Sequence, residues 1–257
     1  MKTRKSGFIL FLAFLTIFCL SQAALYSQPL IIGVKGGLSI PDLSGGSTPL
    51  SEGYTSRRAP TYGAYINYEL NPDWFLQAEV LFSGQGGQRN GIQPIPSGSI
   101  PGVPSDLNLY ANYDNETIIN YLEIPLLVGY TAKIGNTGFT GYVDAGPYLD
   151  ILINAETKTS GSSDLFIDPA GTLPLTIQGY PVPPQSFNAE TNNSSSIKTF
   201  NVGIAGGVGI KYNIGCGQLD LNVRGEYGFI PVESDVAQDG SNHSGALYIT
   251  LGYGIRI

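Results

Sequence analysis

The chain has 257 residues, 13 Lys and Arg against 20 Asp and Glu, a formal net charge of −7, and an unusual 34 Gly and 16 Tyr. The acidic balance argues against a nucleic-acid partner, which requires a basic surface. Beyond the N-terminus no stretch approaches the roughly 20 apolar residues of a spanning helix, and the length suits a single barrel or sandwich.

Residues 1–23 have the layout of a secretory signal peptide. Lys2, Arg4 and Lys5 form a basic start, Ile9 to Leu20 is an apolar run too short to span comfortably, and Ser21-Gln22-Ala23 supplies the small-x-small cleavage pattern. Cys19 raises the alternative of a lipoprotein signal, but the bulky Phe18 before it disfavours that reading. Cleavage after Ala23 lowers the basic count from 13 to 10 against 20 acids. It leaves Cys216 as the remaining cysteine, so no internal disulfide and no cysteine-based metal site are expected.

From residue 30 onward the chain alternates apolar and polar residues in eight stretches, near 30–39, 60–70, 74–85, 118–131, 138–154, 199–213, 217–229 and 244–257. Successive strand side chains point to opposite faces, so each stretch has one apolar and one polar face. The links at 71–73, 132–137 and 214–216 are tight and carry turn residues such as Asn71-Pro72-Asp73 and Gly215-Cys216-Gly217. The links at 40–59, 86–117, 155–198 and 230–243 are long and rich in Gly, Pro, Ser and Asn. Short links at one end and long ones at the other predict an all-β, eight-stranded antiparallel up-and-down transmembrane barrel over 24–257, with periplasmic turns and extracellular loops.

Aromatic residues in the apolar register gather at strand ends. Trp74, Tyr130, Phe139, Tyr212 and Tyr253 fall on the turn side, and Tyr62, Phe82, Phe200 and Phe229 on the loop side. Two such rings match the interfacial girdles of a membrane barrel. A soluble lipocalin-like barrel would turn its apolar face inward and has no use for them.

The opposite register places eleven charged side chains inside: Lys35, Glu69, Glu79, Glu123, Asp144, Asp150, Lys211, Asp220, Arg224, Glu226 and Arg256. Gln77, Tyr121, Tyr142, Tyr148 and Asn222 share that face. An eight-stranded barrel is filled by its own side chains, and charges buried together must pair. The expected arrangement is a structural plug of ion pairs. The alternative is a narrow, cation-selective, porin-like path, since acids outnumber bases.

Pro125 and Pro147 interrupt strands four and five, where each removes a ladder hydrogen bond, and a bulge or kink is expected where those strands meet. His243 lies in the last long link and looks like a loop tip; no nucleophile pattern accompanies it, so catalysis is not expected. Asp235, Asp239 and Gly240 lack the spacing of a calcium loop, and no cofactor motif is present. Gly203, Gly206, Gly207 and Gly209 sit within an alternating strand and leave room inside for larger neighbours. The long link 155–198, with five prolines, is the candidate binding surface.

The strands also resemble a known group, the PorT-like outer-membrane β-barrel family of Bacteroidetes and relatives. The resemblance rests on Gly33-Val34-Lys35-Gly36-Gly37-Leu38, Leu76-Gln77-Ala78-Glu79-Val80-Leu81-Phe82-Ser83, Tyr121-Leu122-Glu123-Ile124-Pro125-Leu126, Asp144-Ala145-Gly146-Pro147-Tyr148-Leu149 and Leu251-Gly252-Tyr253-Gly254-Ile255-Arg256. It implies an integral protein of the Gram-negative outer membrane, and for some members a role in type IX secretion; no catalytic residue carries over. Ile257 departs from the terminal aromatic of many outer-membrane barrels. The expected partners are outer-membrane lipids and, through the long loops, an envelope protein complex or external molecules.

Overall fold

In the computed structural model, which describes residues 30–95 and 107–257, eight antiparallel strands form a closed ring. They are β1 (Leu30–Gly45), β2 (Ala59–Glu69), β3 (Trp74–Ile95), β4 (Leu109–Lys133), β5 (Phe139–Ser160), β6 (Phe200–Ile214), β7 (Gly217–Pro231) and β8 (Asn242–Arg256). Each pairs with its neighbour in sequence, and β1 closes the ring on β8 from Ile31↔Arg256 to Gly45↔Asn242. The expected signal peptide lies outside the described residues.

Alternation sets which face meets what. Val34, Val80, Leu126, Val143, Val208 and Leu251 are all more than half exposed, forming an apolar belt around the ring. Ring pairs bound the belt: Trp74 with Tyr130 and Phe139 with Tyr212 at the turn end, Tyr62 stacked on Phe82 at the loop end. Trp74 to Phe82 is nine residues of β3, at the short end of the 9–11 or so residues of a tilted membrane-spanning strand. The tight links behave as turns. Asn71 Oδ1 accepts the backbone N–H groups of Asp73 and Trp74, both at 2.9 Å, and Gly215 takes a positive φ of 59° that suits glycine.

The long links differ from the expectation. β3, β4 and β5 run 22, 25 and 22 residues, at least twice the 9–11 or so needed to span a membrane. Residues 86–95 and 109–117 are therefore not loop but a hairpin that continues the barrel wall outward, from Gly86↔Ile118 to Ile95↔Leu109. The outer end of β5 joins β4 as far as Asp114↔Ser160, and a short strand at Ala189–Asn192 adds to β5. This extension has its own core of Ile95, Leu109, Ala111, Tyr113, Leu165 and Leu175, against which Val182 and Phe187 pack. Part of the link 155–198 thus folds back onto the sheet.

The expected bulge where β4 and β5 meet is present but not at the prolines, and a second local expectation, on His243, is corrected. Pro125 and Pro147 cause no slip: Pro125↔Tyr148 and Val128↔Ala145 keep one register. Proline removes a donor but fits an extended φ, so the ladder loses a bond rather than its alignment. The bulge of this seam lies further out, between Asn120↔Asn154 and Tyr121↔Leu152, leaving Ile153 as the extra residue. His243 is not a loop tip but part of β8, paired with Ser44 and Pro231. Its Nδ1 lies 3.0 Å from the Gly228 carbonyl, and its ring stacks on Tyr227.

Candidate functional site

The lumen is organised in layers. At the turn end, Arg256 Nη2 meets Glu69 Oε1 at 3.4 Å, and both side chains are solvent-accessible. These two members of the charged set form a rim pair at the turn-side mouth, outside the buried network, because each is the last residue of its strand. They line a vestibule of about 500 Å³ with Lys211 and Phe75. Lys211 Nζ lies 3.9 Å from the centre of the Phe75 ring and 4.8 Å from that of Tyr142. Tyr142 in turn donates to Asp220 Oδ1 at 2.7 Å.

The next layer is an ion cluster centred on Glu79. Its carboxylate takes Lys35 Nζ at 2.9 and 3.0 Å, and a two-pronged bond from Arg224, Nη1 to Oε2 at 2.9 Å and Nη2 to Oε1 at 3.0 Å. Arg224 Nη2 also reaches Asp144 Oδ2 at 3.2 Å. Bidentate guanidinium–carboxylate pairing of this kind is the strongest protein ion-pair geometry. Arg224 and Glu79 are each 1 % exposed, so the cluster is packed within the barrel.

Above it lie Glu123, Asp150 and Glu226, all buried. Tyr248 donates to Glu123 Oε2 at 2.9 Å, and its hydroxyl also meets Ser83 at 2.7 Å and Gln85 at 2.8 Å. Both oxygens of Asp150 and of Glu226 lack a hydrogen-bond partner among the described residues. Sequence alternation thus finds the inward position of these acids but not this uneven distribution. All four bases lie in the middle and lower layers, and the top layer holds acids alone.

Ring packing completes the filling. A Cβ at Gly129 would fall 2.0 Å from Phe75, and one at Gly209 would fall 2.3 Å from Tyr142. These glycines let inward aromatic rings lie flat on the wall. Over the acidic layer sits an apolar cap of Leu43, Ile119, Tyr121, Ala155 and Val232. The Ile153 bulge is what turns Ala155 into it. Below the bulge the even-numbered residues Tyr148 and Asp150 face inward; above it the odd-numbered Ala155 does. No alternation in the sequence announces that switch.

Outside the membrane, Asp168 organises a turn in the 155–198 segment, accepting the N–H groups of Leu173 at 2.7 Å and Thr172 at 3.0 Å. Partial desolvation raises its carboxyl pKa, but these hydrogen bonds outweigh it and hold the group below the usual carboxylate range. Among the described residues, no group of three or more His, Cys, Asp or Glu side chains could hold a metal ion.

The family model described as "Outer membrane protein beta-barrel domain" matches residues 21–233. The chain belongs to this family. No curated protein matches it. Among solved structures, the attachment invasion locus protein Ail of Yersinia pestis, crystallised with the heparin analogue sucrose octasulfate, is 14% identical. That match covers 90% of this chain and 100% of that one, at a TM-score of 0.36. Neisserial surface protein A is 12% identical over 88% of this chain and 97% of its own, at 0.38. The N-terminal barrel domain of Pseudomonas aeruginosa OprF is 13% identical over 89% and 97%, also at 0.38. The family and the closed ring together place the protein in the outer membrane, with the short turns periplasmic.

Proposed function

We propose that the protein is a non-enzymatic outer-membrane anchor with a closed lumen, and that its β3–β5 extension is the interaction element it presents outside. The observation that carries this reading is the Lys35–Glu79–Arg224–Asp144 cluster, which crosses the bore beneath an apolar cap. The vestibule at one end and the cavity at the other share no lining residue. Planar-bilayer recordings of the purified barrel test it: no stepwise conductance is expected. Stable single-channel openings would overturn it in favour of a small porin-like channel for ions or solutes, the reading favoured by the unpartnered oxygens of Asp150 and Glu226.

The PorT-like resemblance adds an envelope complex, in some members a secretion machine, as the partner. In-cell crosslinking of the native protein tests that part. A stoichiometric set of envelope proteins is expected; recovery of the barrel alone would reject it and leave external molecules as the partners of the extension.

A further inference from the structure

The turn-side vestibule, about 500 Å³, lies within the size range of small-molecule sites and opens toward the periplasm. Lys211 is set into its floor and is only 6 % exposed. Alternation along β6 turns Lys211 and Asn213 inward, and strand pairing places Thr140 beside Lys211. The Lys211 ammonium lies over the Phe75 and Tyr142 rings. Those ring faces attract its charge but accept no ordinary hydrogen bond. Among the described residues it has neither a hydrogen-bond acceptor nor a direct ion pair. Its Nζ nevertheless keeps accessible surface, unlike the sealed, unpartnered oxygens of Asp150 and Glu226.

The neighbouring acids are engaged elsewhere. Asp220, opposite Lys211 in the β6–β7 pairing, takes the Tyr142 hydroxyl at 2.7 Å. Glu69 meets Arg256 at 3.4 Å. The lining carries three bases, Lys133, Lys211 and Arg256, against two acids, Glu69 and Asp73. One negative charge balances that set, and a second is opposed by the nearby Asp220. A half-enclosed ammonium with three N–H donors gains most from the oxygens of a carboxylate.

We infer that the vestibule binds a single carboxylate carried on a neutral, hydrogen-bonding body, the chemistry shared by a peptide C-terminus and a free acyl amino acid. The carboxylate accepts from Lys211 Nζ above the Phe75 ring. Thr140, half-buried, and Asn213, exposed, offer a hydroxyl and an amide to the body of the ligand. The contact lies on the turn side of the Glu79 cluster, so it does not depend on whether the bore conducts.

Calorimetry on the purified barrel in non-ionic detergent tests the inference with N-acetyl-trialanine, its C-terminal amide, N-acetylalanine and sulfate. Saturable one-to-one binding of N-acetyl-trialanine, tighter than about 1 mM, is expected. The amide should bind more weakly by about tenfold or more, having lost a charge-assisted hydrogen bond, and sulfate should not displace the acid. Lys211→Gln should erase the preference for acid over amide. Asn213→Trp should block all binding by filling the vestibule from an exposed position where folding is spared. The shift in gel mobility between folded and heated barrel checks both variants. N-acetylalanine separates the two sources: weaker binding than the tripeptide assigns the site to chain ends, equal binding assigns it to free acyl amino acids, and either supports the inference. Equal binding of acid and amide, displacement by sulfate, binding that survives both substitutions, or no binding at all would each overturn it. Channel openings in the bilayer experiment would overturn the closed-lumen reading while leaving this result unchanged.

Discussion

The membrane ring and the external extension are built from the same strands, yet they fold inside out relative to one another. On β4 the odd-numbered residues face inward throughout. Within the ring that register carries Glu123 and Tyr121, packed among charges and hydroxyls. Ten residues further out it carries Tyr113, Ala111 and Leu109, which form an ordinary apolar core. The backbone pattern is identical and only the surrounding solvent changes. Where lipid lies outside, the apolar face turns outward and the interior becomes an ion network; where water lies outside, the usual arrangement returns.

The largest expected test of that contrast is Arg224→Met. It leaves Asp144 without its counter-charge and Glu79 with Lys35 alone, and removing one partner of a buried cluster costs roughly 3–5 kcal/mol. Denaturant unfolding followed by gel mobility should show the loss; a neutral result would mean that the lumen is hydrated rather than packed. Next, Leu165→Ala removes a side chain that is 1 % exposed in the extension core and should cost about 2–5 kcal/mol. That cost is expected to be local. Hydrogen exchange should rise over 109–113 and 160–190 while barrel mobility stays unchanged. A matching loss of barrel stability would show that the two regions fold as one unit.

The third test places one residue type in the two solvents. Val208→Arg, in mid-strand and facing lipid, should destabilise the barrel by roughly 2–4 kcal/mol. Ile177→Arg, at a position 45 % exposed in the external segment, should fall within about 0.5 kcal/mol. If both are neutral in the same unfolding assay, the belt does not face lipid.

The sequence made the ring legible because period-two alternation survives wherever one face meets lipid. Val34, Val80 and Val208 point outward and Glu79, Asp144 and Arg224 inward, as their spacing predicts. It hid the extension for two reasons. Residues 86–95 run Gly-Gly-Gln-Arg-Asn-Gly-Ile-Gln-Pro-Ile, low in strand propensity and polar on both faces, so they resemble loop. The core beneath them joins Ile95, Leu109, Leu165 and Leu175 from distant segments, a set that no local pattern reveals. The charged face was visible, but Glu69 and Arg256 stand at its accessible end, a matter of strand length rather than alternation. The apolar cap was hidden for a related cause: a one-residue bulge at Ile153 inverts the register of β5 and so brings Ala155 into it.

The position of Glu79 also bears on how the ring is assembled. The carboxylate sits on the third strand, while the cations that satisfy it come from the first and the seventh. A chain threaded only through its sixth strand would hold that carboxylate, and Asp144 beside it, at membrane depth without the guanidinium that neutralises them, a costly arrangement in hydrocarbon. Half-inserted intermediates are thereby disfavoured, and delivery of the last hairpin becomes the step that commits the whole chain to the bilayer.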